Sequence, residues 1–161
     1  MNARYEGHSV RRTWIQSGLL LLAVTTLNGS LWALPFPRSF YEDFPLPGRD
    51  WVSALGPYNE HLVTDVGAAY LALVVLLGLA GILLGRTLVR VSLVAWLVYA
   101  VPHFAFHFTT LDAFTLADNL ASMGSLGLAV LLPLLLLAGT YRTPQKDEPG
   151  DCGTKEGRTR V

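Results

Sequence analysis

Residues 62–108 read LVTDVGAAYLALVVLLGLAGILLGRTLVRVSLVAWLVYAVPHFAFHF. Apolar side chains fill this stretch on both sides of one polar turn, Gly85-Arg86-Thr87. A hydrocarbon core of about 30 Å takes about 20 mostly apolar residues in a helix. The stretch supplies two such lengths, Leu62–Leu84 and Leu88–Phe108, and so short a turn makes them antiparallel neighbours. Working outward, the same length recurs before it at Ile15–Leu34 and after it at Leu116–Gly139. Pro133 falls inside the last run, where membrane helices accept proline more readily than soluble ones do. The expected fold is all-α: a four-helix transmembrane bundle over 13–141. A tail at 1–12 precedes it, a structured extracytoplasmic loop at 35–60 joins the first two spans, and a polar, disordered tail follows at 142–161.

Composition agrees. Of 161 residues, 52% are hydrophobic and only 15% charged, against about 25% charged in soluble domains. A zero formal net charge argues against a nucleic-acid partner and leaves the lipid bilayer as the evident one. The single cysteine, Cys152, excludes an intramolecular disulfide and a CxxC redox centre. Arg11-Arg12 before an apolar run resembles a secretion signal, but no A-x-A cleavage site follows, so the first run is read as an uncleaved span. Lysine and arginine placement sets orientation. With both termini cytoplasmic, Arg4, Arg11, Arg12, Arg86, Arg90, Arg142 and Lys146 lie inside, and only Arg38 and Arg49 outside. The expected location is therefore the cell membrane, multi-pass, with N- and C-termini in the cytoplasm.

The 35–60 loop carries five prolines, which limit helix, together with Phe36, Phe40, Tyr41, Phe44, Trp51 and Tyr58. Aromatic residues of this kind favour the membrane interface, so the loop reads as a cap on the outer surface or a lid over a site. A short interfacial helix is expected at Asp50–Ala54. Pro57 suits the first position of the second span.

Polar groups inside a span are costly and mark candidate sites. At 100° per residue, Thr25, Asn28 and Trp32 share a face of the first helix. His61 and Asp65 are one turn apart on the second. Trp96, Tyr99, His103 and His107 form one stripe on the third, and Asp118, Ser122 and Ser125 another on the fourth. Nearly all lie in the half of the bundle assigned to the outside, which predicts an outward pocket closed below by apolar packing. Asn28, Trp32, Trp96, Tyr99 and Ser122 are its expected lining. His103-Phe-Ala-Phe-His107 puts two imidazoles on one face, a usable geometry for a divalent metal ion, with His61, Asp65 or Asp118 as further ligands. Phe104 stands where an H-E-x-x-H protease has glutamate. Haem fits less well, because His103 and His107 face the same way and a second axial ligand would have to be His61. Di-iron oxygenase chemistry needs more than the four histidines present. Three readings stay open: a structural hydrogen-bond network from histidine to Asp65 or Asp118, a metal or small-ligand site, and proton-linked transport. Nucleophile-elbow, Walker and dinucleotide motifs are absent, which favours a non-enzymatic protein over a metal-dependent membrane enzyme.

The segments Phe40-Tyr41-x-Asp43-Phe44-Pro45-x-Pro47-Gly48-Arg49-x-Trp51, Gly56-Pro57-Tyr58-Asn59-Glu60-His61-Leu62-x-x-Asp65-Val66-Gly67 and Pro102-His103-x-x-Phe106-His107 together resemble a group of small four-span membrane proteins of actinobacterial type. More distantly, the layout is similar to DoxX-like bundles. The resemblance implies a four-helix membrane fold, a small-ligand or membrane-protein partner being left open, and it carries no catalytic residues.

Overall fold

A computed structural model of the chain describes residues 3–141, with side chains from Arg12 onward. The expected 142–161 tail lies outside the described residues. Five α-helices follow in order: α1 Ala3–Ala33, α2 Pro37–Asp43, α3 Glu60–Leu83, α4 Arg86–His107 and α5 Leu116–Tyr141. Within α1 the segment Arg12–Ala33, and the whole of α3, α4 and α5, are long and apolar enough to cross a membrane. The chain is thus an all-α, multi-pass integral membrane protein built on a four-helix bundle. Its loop end carries 34–59 and 108–115; its terminal end carries the α3–α4 turn, the start of α1 and the end of α5.

The segment boundaries read from hydropathy hold to within two or three residues at most ends. The differences have local causes. Helix α1 begins at Ala3 and takes in most of the expected 1–12 tail. Prolines in the 35–60 loop do not prevent a helix there: Pro37 starts α2, because a proline at the first helical position gives up only an N–H that has no partner in any case. The expected helix at Asp50–Ala54 is a single 3₁₀ turn at Ser53–Leu55. Helix α3 starts not at Pro57 but at Glu60, where the Asn59 side chain caps by accepting from the Leu62 N–H at 3.2 Å. Leu84 ends α3 in the left-handed region at φ 53°. That costs a non-glycine residue about 1 kcal/mol, and Leu84 is held there by packing against the core.

Helices α1 and α3 form the tightest pair. The Ser30 hydroxyl donates to the Gly67 carbonyl at 3.1 Å and the Gln16 amide to the Gly81 carbonyl at 3.1 Å. The donors stand fourteen residues apart on α1 and the acceptors fourteen apart on α3, so the antiparallel register is constant along the pair. Both acceptors are glycines because the backbones nearly touch: a Cβ on Gly67 would lie 3.0 Å from the Leu34 nitrogen, and one on Gly81 3.0 Å from Leu20 Cδ2. The Gly81-x-x-x-Gly85 pattern therefore serves packing within the bundle at Gly81. Gly85, Gly78 and Gly124 have open space beside them. Helix α4 joins α5 through the Trp96 indole, which donates to the Ala129 carbonyl at 2.7 Å, and through Arg90, whose guanidinium reaches the Thr140 hydroxyl at 3.0 Å and carbonyl at 2.9 Å. Ser92 donates to its own helix at Leu88 (2.7 Å) and to Leu76 of α3 (3.3 Å).

The main core draws on Leu19, Leu22, Leu77, Leu93, Trp96 and Leu136 and extends along α4 as far as Ala100. A second cluster at the loop end joins Ala33, Phe40 and Val63, with Trp32, Phe44 and Tyr58 packed against it.

Because the obstruction at Gly67 is partly backbone, Gly67→Ala destabilises the bundle by about 1–3 kcal/mol, read as a lower thermal midpoint in detergent. Gly78→Ala, on open space, leaves the midpoint unchanged or raises it. Equal effects at the two glycines would contradict the close α1–α3 contact.

Candidate functional site

Helix α4 carries a column of rings. Trp96 and Tyr99 meet edge to face at 5.8 Å, Tyr99 stacks on His103 at 5.4 Å, and His103 meets the edge of His107 at 4.9 Å. The i, i+4 spacing of 99, 103 and 107 sets this column on one helix face. Tyr70 of α3 joins it: its hydroxyl lies 2.5 Å from that of Tyr99, and the rings meet edge to face at 5.4 Å. The Tyr70 ring reaches this position over Gly29 of α1, where a Cβ would lie 3.3 Å away. The α4–α5 register, fixed by Trp96 on Ala129, brings Ser122 level with His103, since each lies seven residues further toward the loop end.

His107 and Ser122 are buried, at 9% and 5% exposure, and His103 is partly buried. Among the described residues, neither imidazole and not the Ser122 hydroxyl has a hydrogen-bond partner. The two phenols share one hydrogen bond, so one phenolic proton also lacks an acceptor. Among the described residues, no side-chain nitrogen or oxygen fully sealed from solvent is without a partner. The free atoms of His103, His107 and Ser122 therefore border accessible space.

The other expected ligands lie elsewhere. His61 and Asp65 pair with each other at 3.4 Å and are exposed at the start of α3. Asp118 is committed to a different task. Thr115 caps the start of α5: its hydroxyl accepts from the Asp118 N–H at 3.2 Å and donates to the Asp118 carboxylate at 2.6 Å. The same carboxylate receives the Arg49 guanidinium at 2.5 Å and the Trp51 indole N–H at 3.0 Å. Among the described residues no three His, Cys, Asp or Glu side chains gather closely enough to hold a metal ion. The set His61, Asp65, His103, His107 and Asp118 thus separates into an exposed pair, an interior imidazole pair and a loop anchor. Of the residues expected to line a pocket, Trp96, Tyr99 and Ser122 join the interior. Trp32 turns to the loop, donating to the Ser39 hydroxyl at 3.1 Å. Asn28 is exposed on the face of α1 opposite its buried residues.

The loop anchor was missed in the sequence, although Thr115-x-x-Asp118 is a legible capping signature. Its consequence is a strap. The 44–51 segment closes on itself through the Trp51 N–H to the Phe44 carbonyl at 3.2 Å. Phe44 packs in the second cluster beside α1 and α3, while Arg49 and Trp51 hold α5. The segment thus crosses the loop end of the bundle from one helix pair to the other. At its root the Tyr41 hydroxyl donates to the Gly56 carbonyl at 2.6 Å, and Arg38 sits 5.1 Å over the Tyr58 ring. Comparison with protein-family models, with curated proteins and with solved structures finds no match.

Asp118→Ala removes both strap anchors. Trypsin cleavage after Arg49 should then accelerate several-fold, with a shift in Trp51 emission. An unchanged cleavage rate would mean the strap is held by the second cluster alone.

Proposed function

We propose that the protein is a non-enzymatic membrane receptor for a small, neutral, hydrogen-bonding molecule. The molecule is held between α3, α4 and α5 by His103, His107, Ser122 and the Tyr70–Tyr99 pair, beneath the 44–51 strap. The observation that carries this is a contrast between the two halves of the bundle. Toward the terminal end, the polar side chains Gln16, Ser92 and Arg90 each reach a backbone carbonyl. Toward the loop end Ser30 does the same with Gly67, but among the described residues His107 and Ser122 have no hydrogen-bond partner. These atoms border accessible space rather than being sealed away, so a molecule entering that space would meet donors and acceptors that no group of the described residues already occupies. A ligand with acceptors for imidazole N–H, hydroxyl and phenol would supply the missing bonds. Trp96, Tyr99 and Phe104 offer apolar surface for its body. Among the described residues no third His, Cys, Asp or Glu side chain gathers beside the two imidazoles to hold a metal ion.

The loop end faces outward in this reading. Arg12, Arg86 and Arg90 stand at the terminal end, whereas Arg38 and Arg49 stand at the loop end, the bias expected for cytoplasmic termini. In a Cys152→Ser background, Pro47→Cys should be labelled by a membrane-impermeant maleimide on intact cells. Labelling only after lysis would reverse the orientation.

The site itself is tested by stability in ligand-free, detergent-purified protein. His107→Phe should leave the thermal midpoint unchanged or raise it, because the imidazole makes no hydrogen bond among the described residues that the change could break. Ser92→Ala, which deletes a satisfied hydroxyl, should lower it. A fall in the midpoint for His107→Phe would identify the imidazole as part of a structural network and overturn the reading.

A further inference from the structure

The outer face of α1 presents a different problem. Its exposed residues include Thr13, Trp14, Ser17, Leu20, Leu21, Val24, Thr25, Asn28 and Leu31. The opposite face, with Leu19, Leu22, Ala23, Thr26 and Ser30, is buried in the bundle. Thr25 satisfies itself by donating to the Leu21 carbonyl at 2.9 Å, as membrane-helix threonines can. Asn28 has no such recourse, and among the described residues its amide has no partner. The comparable outward stripe of α5, with Leu128, Leu131 and Leu135, is wholly apolar and suits lipid as it stands.

Asn28 lies five residues before the end of α1 at Ala33, about 7 Å below it at 1.5 Å per residue. Helical side chains lean toward the helix N-terminus, here away from the nearer membrane surface. The short amide is therefore directed deeper into the hydrocarbon rather than toward water. An amide carries both donors and an acceptor, so its simplest complement is another amide. Copies of one membrane protein share one orientation, so two α1 helices can meet only in parallel, about a two-fold axis that brings the same patch of each against the other. Position 28 then faces position 28.

We propose that the protein forms a parallel homodimer through the outer face of α1, with the Asn28 side chains of the two copies hydrogen-bonded to each other across the axis and Val24 and Leu31 packed one turn to either side. A single polar residue in an apolar helix seam fixes register in this way, and interhelical asparagine bonds strengthen association in lipid. This inference is independent of the ligand site.

The test uses full-length protein in liposomes of a phosphatidylcholine–phosphatidylglycerol mixture, in a Cys152→Ser background. Donor- and acceptor-labelled copies are followed by energy transfer as lipid dilutes them. Wild type should associate, Asn28→Leu should weaken association about tenfold, and Asn28→Gln should retain most of it. Because the Asn28 amide bonds nothing among the described residues, Asn28→Leu leaves the monomer fold intact, checked by its thermal midpoint. Oxidation should cross-link Val24→Cys and Leu31→Cys, and not Val98→Cys on the outer face of α4. A wild type that remains monomeric at all dilutions would overturn the proposal. So would equal association of Asn28→Leu and wild type, or cross-linking at Val98→Cys in preference to the α1 positions.

Discussion

A bilayer leaves a polar side chain two ways to be satisfied: a partner inside the protein or a partner on another molecule. The pairing of α1 with α3 takes the first way. Ser30 and Gln16 each donate to the carbonyl of a glycine on the facing helix, and the missing Cβ is what lets the donor come near. Two such bonds at matched spacing fix register and depth together. That fixes where Gly29 stands, hence where Tyr70 can lie, and hence which level of α4 its hydroxyl meets.

From that register the two halves of the bundle diverge. Toward the terminal end, apolar packing around Leu19, Leu77, Leu93 and Leu136 leaves room only for polar groups that find a backbone carbonyl. Beyond Ala100 that core stops, and α4 carries imidazoles instead of aliphatic chains. The strap crosses the loop end of the bundle because Asp118, in the first turn of α5, takes Arg49 and Trp51. One carboxylate thus ties the start of a helix to the position of that segment.

Much of the fold was legible because hydropathy over a 20-residue length depends little on tertiary detail. The antiparallel pairing of α3 and α4 followed from the brevity of the Gly85 turn. The aromatic–imidazole stripe on α4 followed from helical period alone. What period cannot give is the rotation of one helix against another. Asn28 and Trp32 share a face with spacing that reads as interior, yet the burial of Leu19, Leu22 and Ser30 turns Asn28 outward. His61 and Asp65 likewise sit where α3 emerges, too near its end to reach the interior. Asp118 looked like a ligand because its loop partners lie some seventy residues earlier in the chain, and no local pattern links Arg49 to it. Helix α2 was obscured by counting prolines without asking which position each would occupy.

The central claim is that His103, His107, Ser122 and the tyrosine pair are held open for a ligand rather than for one another. The most direct measurement is native mass spectrometry of the protein released from its own membranes in mild detergent, with wild type beside a His103→Leu, His107→Leu double variant. The account predicts a small-molecule adduct on wild type, one per chain, that is lost from the double variant. A wild-type chain that emerges at its bare mass, or an adduct retained by the double variant, would contradict it.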